Sequence, residues 1–185
     1  TRCFSMKLIS ASFLAILIAL PLVGAARAQV IDPEVMVEKV AQERNGPLVT
    51  ALKEQGALTM SPDQRLPPSF DFASMDVGVA FDGDSHLLTT QGMKALRSVA
   101  AALGDARLSR QSFQVAAHMA ANGGTDTARV SAKRAQAVVD HLVYFYGIPR
   151  DRLVPVGYGD SAPRNAGNPA FLENTRIAFV NVTGL

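Results

Sequence analysis

The sequence is poor in the residues on which covalent and metal-centred chemistry depends. Its 185 residues include one cysteine, Cys3, no tryptophan and three widely spaced histidines, His86, His118 and His141. A single cysteine excludes a disulfide framework and a cysteine-based metal site, and three scattered histidines do not favour a zinc enzyme. No nucleophile with a neighbouring base and no pair of carboxylates can be read from the sequence. The sequence therefore predicts a protein that is not an enzyme and needs no metal or cofactor.

The sequence also lacks an excess of charge of either sign. Charged residues make up 18 % of the chain, and the formal net charge is +2 at pH 7. Three of the 18 basic residues and none of the 16 acidic residues lie in residues 1–28, which leaves a net charge of −1 on the remainder. Because nucleic-acid-binding domains carry a basic patch, this balance argues against a nucleic-acid partner.

Residues 1–28 have the pattern of a secretory signal peptide. Met6-Lys7 precedes an uncharged run from Leu8 to Ala26, and Ala26 and Ala28 are the small residues that a signal peptidase requires. Cleavage is predicted between Ala28 and Gln29, which gives a periplasmic protein. The alternative is an uncleaved anchor, because 19 uncharged residues could just span a bilayer. No cysteine follows the run, so no lipid anchor is predicted.

Residues 29–68 are predicted to form a flexible or partly helical tail. A helix is expected over residues 33–45, with Val37 and Val40 on one side, and Gly46-Pro47 should end it. Forty residues are too few for an integral outer-membrane barrel, because even eight strands of about 10 residues need twice that number. The sequence leaves open whether this segment packs against the domain that follows.

Residues 69–185 show regularly spaced apolar residues and are predicted to form the folded domain. Two helices should cover one face of a four-stranded sheet in a two-layer α/β sandwich of order β-α-β-α-β-(loop or short helix)-β. The expected elements are a strand over Met75–Phe81, a helix from Thr89 or Thr90 to Gly104, a strand over Ser112–His118, a helix from Asp126 or Thr127 to Gly147, and strands over Leu153–Tyr158 and Arg176–Val182.

Helical spacing predicts which side chains of the two helices are buried. Met93 and Leu96 should lie on the buried face of the first helix, and Leu142 and Tyr146 on that of the second. The aromatic run of residues 144–146 is interpreted as core packing rather than as a platform for stacking a ligand.

Five short motifs in this stretch carry a resemblance to a known family. The sequence resembles the OmpA-like C-terminal domain, which also occurs in MotB and in peptidoglycan-associated lipoprotein, and this resemblance implies the same α/β fold. The matching segments are Val79–Ser85 (F-D-x-D-S), Ser131–Ala135 (L-S-x-x-R-A, with Val130 for Leu), Gly147-Ile148 with Arg152-Leu153 (G-I and R-L), Gly157–Asp160 with Pro163 (G-x-G-E and P), and Asn174–Ile177 (N-R-R-V).

The resemblance implies non-covalent binding of peptidoglycan stem peptides through diaminopimelate. Arg134 matches the arginine that holds the ligand carboxylate. The aspartate that ends the G-H-T-D motif and holds the ammonium is replaced by Ala120, while His118 is kept and Met119 stands for threonine. Thr127 stands where the family has asparagine, and the loop before it is one residue short. The resemblance therefore implies a binding site whose affinity is weakened.

Some of these positions have alternative roles that the sequence leaves open. Arg134 could contact an anion, form a structural ion pair or extend along the helix to solvent. Asp84 is a candidate to line the same pocket, and its alternative is an ordinary turn residue. Asp126 is interpreted as a helix N-cap rather than a ligand. His118 is interpreted as a buried histidine that bonds to neighbouring backbone rather than as a catalytic base.

The sequence thus predicts an exported periplasmic module that associates with peptidoglycan and lies near the cell wall or outer membrane. The alternative is a degenerate domain of the same fold with a structural or protein-interaction role, whose partners would be other envelope proteins.

Overall fold

A computed structural model describes residues 31–41, 65–66, 72–122 and 126–184. A four-stranded sheet has the order β1-β4-β2-β3, in which β4 runs antiparallel to both β1 and β2, and β2 runs parallel to β3. The strands are β1 (Ser74–Val77), β2 (Phe113–His118), β3 (Leu153–Gly159) and β4 (Arg176–Asn181). The helices are α1 (Pro33–Val40), α2 (Thr90–Leu103) and α3 (Thr127–Tyr146), with short 3-10 turns at Ala106–Leu108, Arg150–Arg152 and Leu172–Asn174.

The apolar side chains of the sheet and the helices form one core. Phe113 and Val115 of β2 and Phe179 of β4 are fully buried on the face that α2 and α3 cover. Leu96 of α2 and Leu142 of α3 reach them from the helix layer. The predicted two-layer α/β sandwich, with two helices on one face of a four-stranded sheet, is confirmed.

The capping residues fix where the helices begin and end. The side chain of Thr89 accepts a hydrogen bond from the N–H of Gly92 at 3.1 Å, and that of Asp126 accepts one from the N–H of Arg129 at 3.0 Å. Gly147 ends α3 with a left-handed φ of 67°, a conformation that favours glycine. These caps were predicted from the sequence and are confirmed.

Strand β1 is shorter than the alternating pattern predicts. The N–H of Val79 bonds to the carbonyl of Val77 at 3.0 Å, which bends the backbone and ends the strand there. Phe81 then pairs with Leu88 only in an isolated bridge. Val79 and Phe81 still pack against the core, so the alternation reflects burial rather than continued strand pairing.

The aromatic run at the end of α3 is not in the core, and the prediction for it is wrong. Tyr144, Phe145 and Tyr146 are 88 %, 70 % and 37 % exposed, and Met93 of α2 is 39 % exposed. Helix α3 has 20 residues and is about 30 Å long, whereas a strand of six or seven residues spans about 20 Å. The last turn of α3 therefore extends beyond the sheet that would cover it.

Part of the segment predicted as a tail packs into the domain. Met36, Val37 and Val40 of α1 are at most 1 % exposed and belong to the common core. The side chain of Asn181 donates to the carbonyl of Val40 at 2.7 Å, and that of Gln111 donates to the carbonyl of Ala41 at 3.2 Å. These bonds hold the end of α1, which stops at Val40, earlier than expected.

The remaining expectations for the N-terminal part fall outside the described residues. These are the leader with its cleavage site, and the helix stop at Gly46-Pro47. Within the part of the chain that is described, no helix is both long and apolar enough to cross a membrane.

Candidate functional site

Arg134 joins helix α3 to the turn that follows β1. Its Nε donates to the carbonyl of Ser85 at 2.8 Å, and its Nη2 donates to the carbonyl of Gly83 at 2.7 Å. The guanidinium carbon lies 4.7 Å from the centre of the Phe81 ring, within range of a cation–π interaction. With only 5 % of the residue exposed, the guanidinium is held in one position by the turn Asp82–Ser85, the β1–α2 turn.

The charge of Arg134 is partly desolvated. Burial lowers the pKa of Arg134, and the negative charge of Asp84 acts in the opposite direction. Both hydrogen-bond acceptors named above are neutral carbonyls, so they do not cancel the positive charge. The structure therefore brings together one fixed cation and one carboxylate, Asp84, at the β1–α2 turn.

The loop after β2 is tied to the chain between β3 and β4. Met119 is buried, and the methyl group of Ala120 offers neither a charge nor a hydrogen bond. Three successive amides of this loop donate to other segments: Met119 N–H to the carbonyl of Gly159 at 2.8 Å, Ala120 N–H to Oγ1 of Thr175 at 3.0 Å, and Ala121 N–H to the carbonyl of Pro169 at 2.9 Å.

The polar side chains at the start of α3 bond to other groups of the same domain. Asp126 caps the helix and forms an exposed ion pair with Arg129 at 3.2 Å. The hydrogen bond from the Arg129 N–H lowers the pKa of Asp126. The hydroxyl of Thr127 donates to the carboxylate of Asp160 at 3.1 Å. Thr127 therefore binds the β3–β4 connection at this point.

Ser131, three residues before Arg134, joins α3 to β3 through its hydroxyl group. Its Oγ donates to the carbonyl of Ala128 and accepts from the N–H of Gly159, both at 2.9 Å. A Cβ on Gly157 would lie 2.4 Å from the backbone nitrogen of Ala132, so strand and helix are in direct backbone contact. The sequence alone did not predict this contact between α3 and β3, although the motifs that contain Ser131 and Gly157 indicate it.

His118 lies on the sheet face that points away from α2 and α3. Its ring stacks on Tyr158 at 4.7 Å, and the Tyr158 hydroxyl donates to Gln114 on the same face at 2.8 Å. Burial, followed by the charge of Arg176, lowers the pKa of His118 to about 3, although a backbone hydrogen bond with Ala162 opposes the shift. The imidazole is therefore neutral at pH 7 and offers no charge to a carboxylate.

Three arginines surround this second face, and only Arg176 among them lies in a motif of the family resemblance. Arg164 and Arg176 both pair with Asp76, the latter at 3.4 Å. Arg65 lies 5.7 Å above the ring of Tyr158. The partners come from strands and loops far apart in the chain, so no local spacing could have revealed them.

A separate groove runs between α3 and β3, a strand at the edge of the sheet. Its volume is about 330 Å³. Ala128, Ala132 and Gly157 line it, together with the polar residues Arg65 and Gln136. Arg134 does not line this groove.

The residues predicted for the site thus lie in three separate places in the structure. Arg134 and Asp84 lie together at the β1–α2 turn. Thr127 and Ala120 lie where α3 starts and β2 has ended, with their polar atoms bonded to the β3–β4 connection. His118 lies on the opposite face of the sheet. Within the described ranges, no group of three or more His, Cys, Asp or Glu side chains could hold a metal ion.

Three solved structures are similar to this chain, and one of them reaches a TM-score of 0.50. A putative MotB-like protein from Desulfovibrio vulgaris matches at 20 % identity with a TM-score of 0.50, covering 80 % of this chain and 94 % of that one. The OmpA-like domain of FopA1 from Francisella tularensis matches at 18 % identity with a TM-score of 0.45, covering 66 % and 90 %. The periplasmic domain of Helicobacter pylori MotB matches at 16 % identity with a TM-score of 0.46, covering 58 % and 79 %. The match to the Desulfovibrio vulgaris protein, at 20 % identity, supports the fold alone.

The family assignment comes from the sequence of the domain. No curated protein matches the chain. Residues 80–174, slightly more than half of the chain, match the OmpA family, and the matched range contains Arg134, the β1–α2 turn and the loop after β2. The chain belongs to the OmpA family.

Proposed function

We propose that this protein is an exported periplasmic module that binds peptidoglycan stem peptides without forming a covalent bond. Membership of the OmpA family supports this function. The observation that carries the proposal is the buried guanidinium of Arg134, fixed at the β1–α2 turn beside Asp84. Residues 1–28 act as the signal peptide, and the binding domain comprises residues 69–185 together with α1.

The two charges at the turn suit a zwitterionic ligand. Arg134 receives the carboxylate of diaminopimelate, and Asp84 receives its ammonium group. Two carbonyls already hold the guanidinium, so binding costs little side-chain entropy at this residue. His118 supports the fold of the opposite face and does not touch the ligand, while Thr127 positions the start of α3.

The missing carboxylate at position 120 makes this binding weak. Ala120 cannot pair with an ammonium group, and leaving one partner of a buried charge pair unanswered costs about 2–5 kcal/mol. That range corresponds to roughly 30-fold to several-thousand-fold in affinity. Wall association of millimolar strength is the expected result, with Asp84 only partly replacing the lost partner.

A second function is favoured by the loop after β2. Its three amides are all bonded inside the domain, and Met119 fills the corner that the family motif gives to a polar residue. A domain of this kind could keep the fold while serving as a structural or protein-interaction unit. Its partners would then be other envelope proteins rather than the wall.

An NMR titration with a diaminopimelate-containing stem peptide separates the two functions. The wild-type protein is compared with Arg134→Lys, Asp84→Asn and Ala120→Asp, and with Arg129→Ala as a control for an exposed arginine on the same helix. Saturable shifts at the β1–α2 turn that weaken in the first two variants, but not in the control, support wall binding. Ala120→Asp should raise the affinity about 30-fold or more.

Two outcomes speak against a working wall site. If the wild type shows no shifts and Ala120→Asp restores them, the pocket is preserved but has lost its ligand, which favours the second function. If neither protein shows shifts, the site at Arg134 is rejected. The export proposal has its own test, in which the mass of the protein recovered from the periplasm should correspond to a chain that starts at Gln29.

A further inference from the structure

The end of α3 carries a cluster of exposed rings, which we call the aromatic patch. It consists of Tyr144, Phe145 and Tyr146 with His141 beneath them. The His141 ring lies 4.6 Å from that of Phe145 and 5.8 Å from that of Tyr146, and Tyr144 lies 6.1 Å from Phe145. Tyr144 and Phe145 are 88 % and 70 % exposed. Exposed apolar patches of this kind mark protein or membrane contacts.

The aromatic patch lies at the end of the domain that also holds α1. Just beyond the patch, Arg152 donates to the carbonyl of Leu103, the last residue of α2, and to those of Leu108 and Gln111 in the α2–β2 connection. Helix α1 contacts the same connection through Gln111, which donates to Ala41. The ligand site proposed above lies at the other end of the sheet, about 20 Å away along β2.

The chain enters the domain from this end. Ile31, the first described residue, is separated by only residues 27–30 from the uncharged run Leu8–Ala26. Four residues span at most about 14 Å. While this run lies in the bilayer, before any cleavage, the α1 end of the domain stays within that distance of the lipid, a step that rests on the export proposed above.

We propose that the aromatic patch contacts the surface of a lipid bilayer at the level of the headgroups. Tyrosine combines an apolar ring with a hydroxyl that stays hydrated, and aromatic side chains are enriched at this level of a membrane. Asp140, the residue before His141, forms an exposed ion pair with Arg150. A second copy of the chain is a less suitable partner for the patch. A stable dimer buries about 800 Å² of surface on each partner, and three side chains bury less surface than that.

This contact would set the orientation of the domain. With the aromatic patch on the lipid, the β1–α2 turn and Arg134 point away from the membrane. The inference does not depend on whether that turn binds the cell wall, since it uses only the opposite end of the domain.

The absence of tryptophan makes a direct test possible. Phe145→Trp places a single fluorescent probe in the patch, and Phe171→Trp places a matched probe on a side chain that is 50 % exposed near the other end of the sheet. Each protein is expressed from the full reading frame, purified as the cell processes it, and mixed with vesicles of equal parts phosphatidylcholine and phosphatidylglycerol. Brominated phosphatidylcholine serves as the quencher.

The expected result is a blue shift and quenching for Phe145→Trp, with little change for Phe171→Trp. In a parallel sedimentation assay, the double variant Tyr144→Ser/Phe145→Ser should partition into vesicles about tenfold less than the wild type. Both side chains are exposed, so the variants should unfold at the wild-type temperature. Equal behaviour of the two probes would overturn the proposal, as would a blue shift that follows protein concentration without vesicles, the signature of a second copy.

Discussion

Replacing Arg134 with methionine tests whether its guanidinium joins α3 to the β1–α2 turn. The substitution keeps an unbranched apolar stem of similar reach and removes only the charged group. It deletes the hydrogen bonds to the carbonyls of Ser85 and Gly83 and the contact with the Phe81 ring. We expect the turn to loosen while the rest of the fold is kept.

The magnitude follows from these contacts. A hydrogen bond from a charged donor contributes about 1.5–3 kcal/mol, so two of them set an upper bound of about 3–6 kcal/mol. Two effects reduce the loss. Water can replace the donor at the exposed Gly83, and methionine removes the penalty of burying a charge, the same burial that lowers the pKa of Arg134. A loss of about 2 kcal/mol in the free energy of unfolding is therefore expected.

Urea denaturation of the wild type, Arg134→Met and Lys133→Met measures this loss. Lys133 is the exposed neighbour on the same helix, and its variant should lie within about 0.5 kcal/mol of the wild type. Hydrogen exchange should quicken at the amide of Ser85, which bonds within the turn. If Arg134→Met matched Lys133→Met in both assays, the guanidinium would not be holding the turn, and the geometry on which the proposed site depends would be refuted.

Three further predictions concern residues that stabilise the fold outside the proposed ligand site. Arg152→Met should lower the free energy of unfolding by about 2–3 kcal/mol, because three carbonyls lose their donor, whereas Arg150→Ala removes only an exposed ion pair and should cost less than about 0.5 kcal/mol in the same urea assay. Gly157→Ala should lower the free energy of unfolding by more than about 2 kcal/mol, because its Cβ would collide with the helix backbone. The loss should appear as a lower midpoint of thermal unfolding. The pKa of His118 is lowered to about 3 from 6.5, so the unfolded chain binds a proton in this range that the native state does not. Stability should therefore fall as pH drops from 6.5 towards 3, by up to about 1.4 kcal/mol per pH unit, a slope that His118→Gln should reduce and that the exposed control His86→Gln should keep.

The fold could be predicted because much of its information is local. Thr89 and Asp126 cap the helices through atoms that are three residues away, so the sequence alone places these boundaries. Gly147 ends α3 because its φ of 67° needs no distant partner. The order of strands and helices and the spacing of apolar residues then determined an α/β sandwich with two helices on one face.

The candidate site could be predicted only in part. The sequence identified Arg134 and Asp84, and the structure places them together. It grouped His118 with them, yet the side chains of neighbouring strand residues point to opposite faces, and His118 lies on the face away from the helices. The alternation along β2 could have separated it from Arg134 before the structure was known.

What only the tertiary structure decided depends on contacts between distant segments. The two hydrogen-bond partners of Arg134 lie 49 and 51 residues away along the chain. Val40 of α1, which accepts from Asn181, lies 141 residues away from it. No local pattern specifies such pairs. The exposure of Tyr144 and Phe145 also depends on where the sheet ends relative to α3, which helical spacing does not encode. Local hydrogen bonds and periodicity therefore determined the elements and their order. The packing of one element on another decided which polar groups meet and which apolar surface is left for a partner.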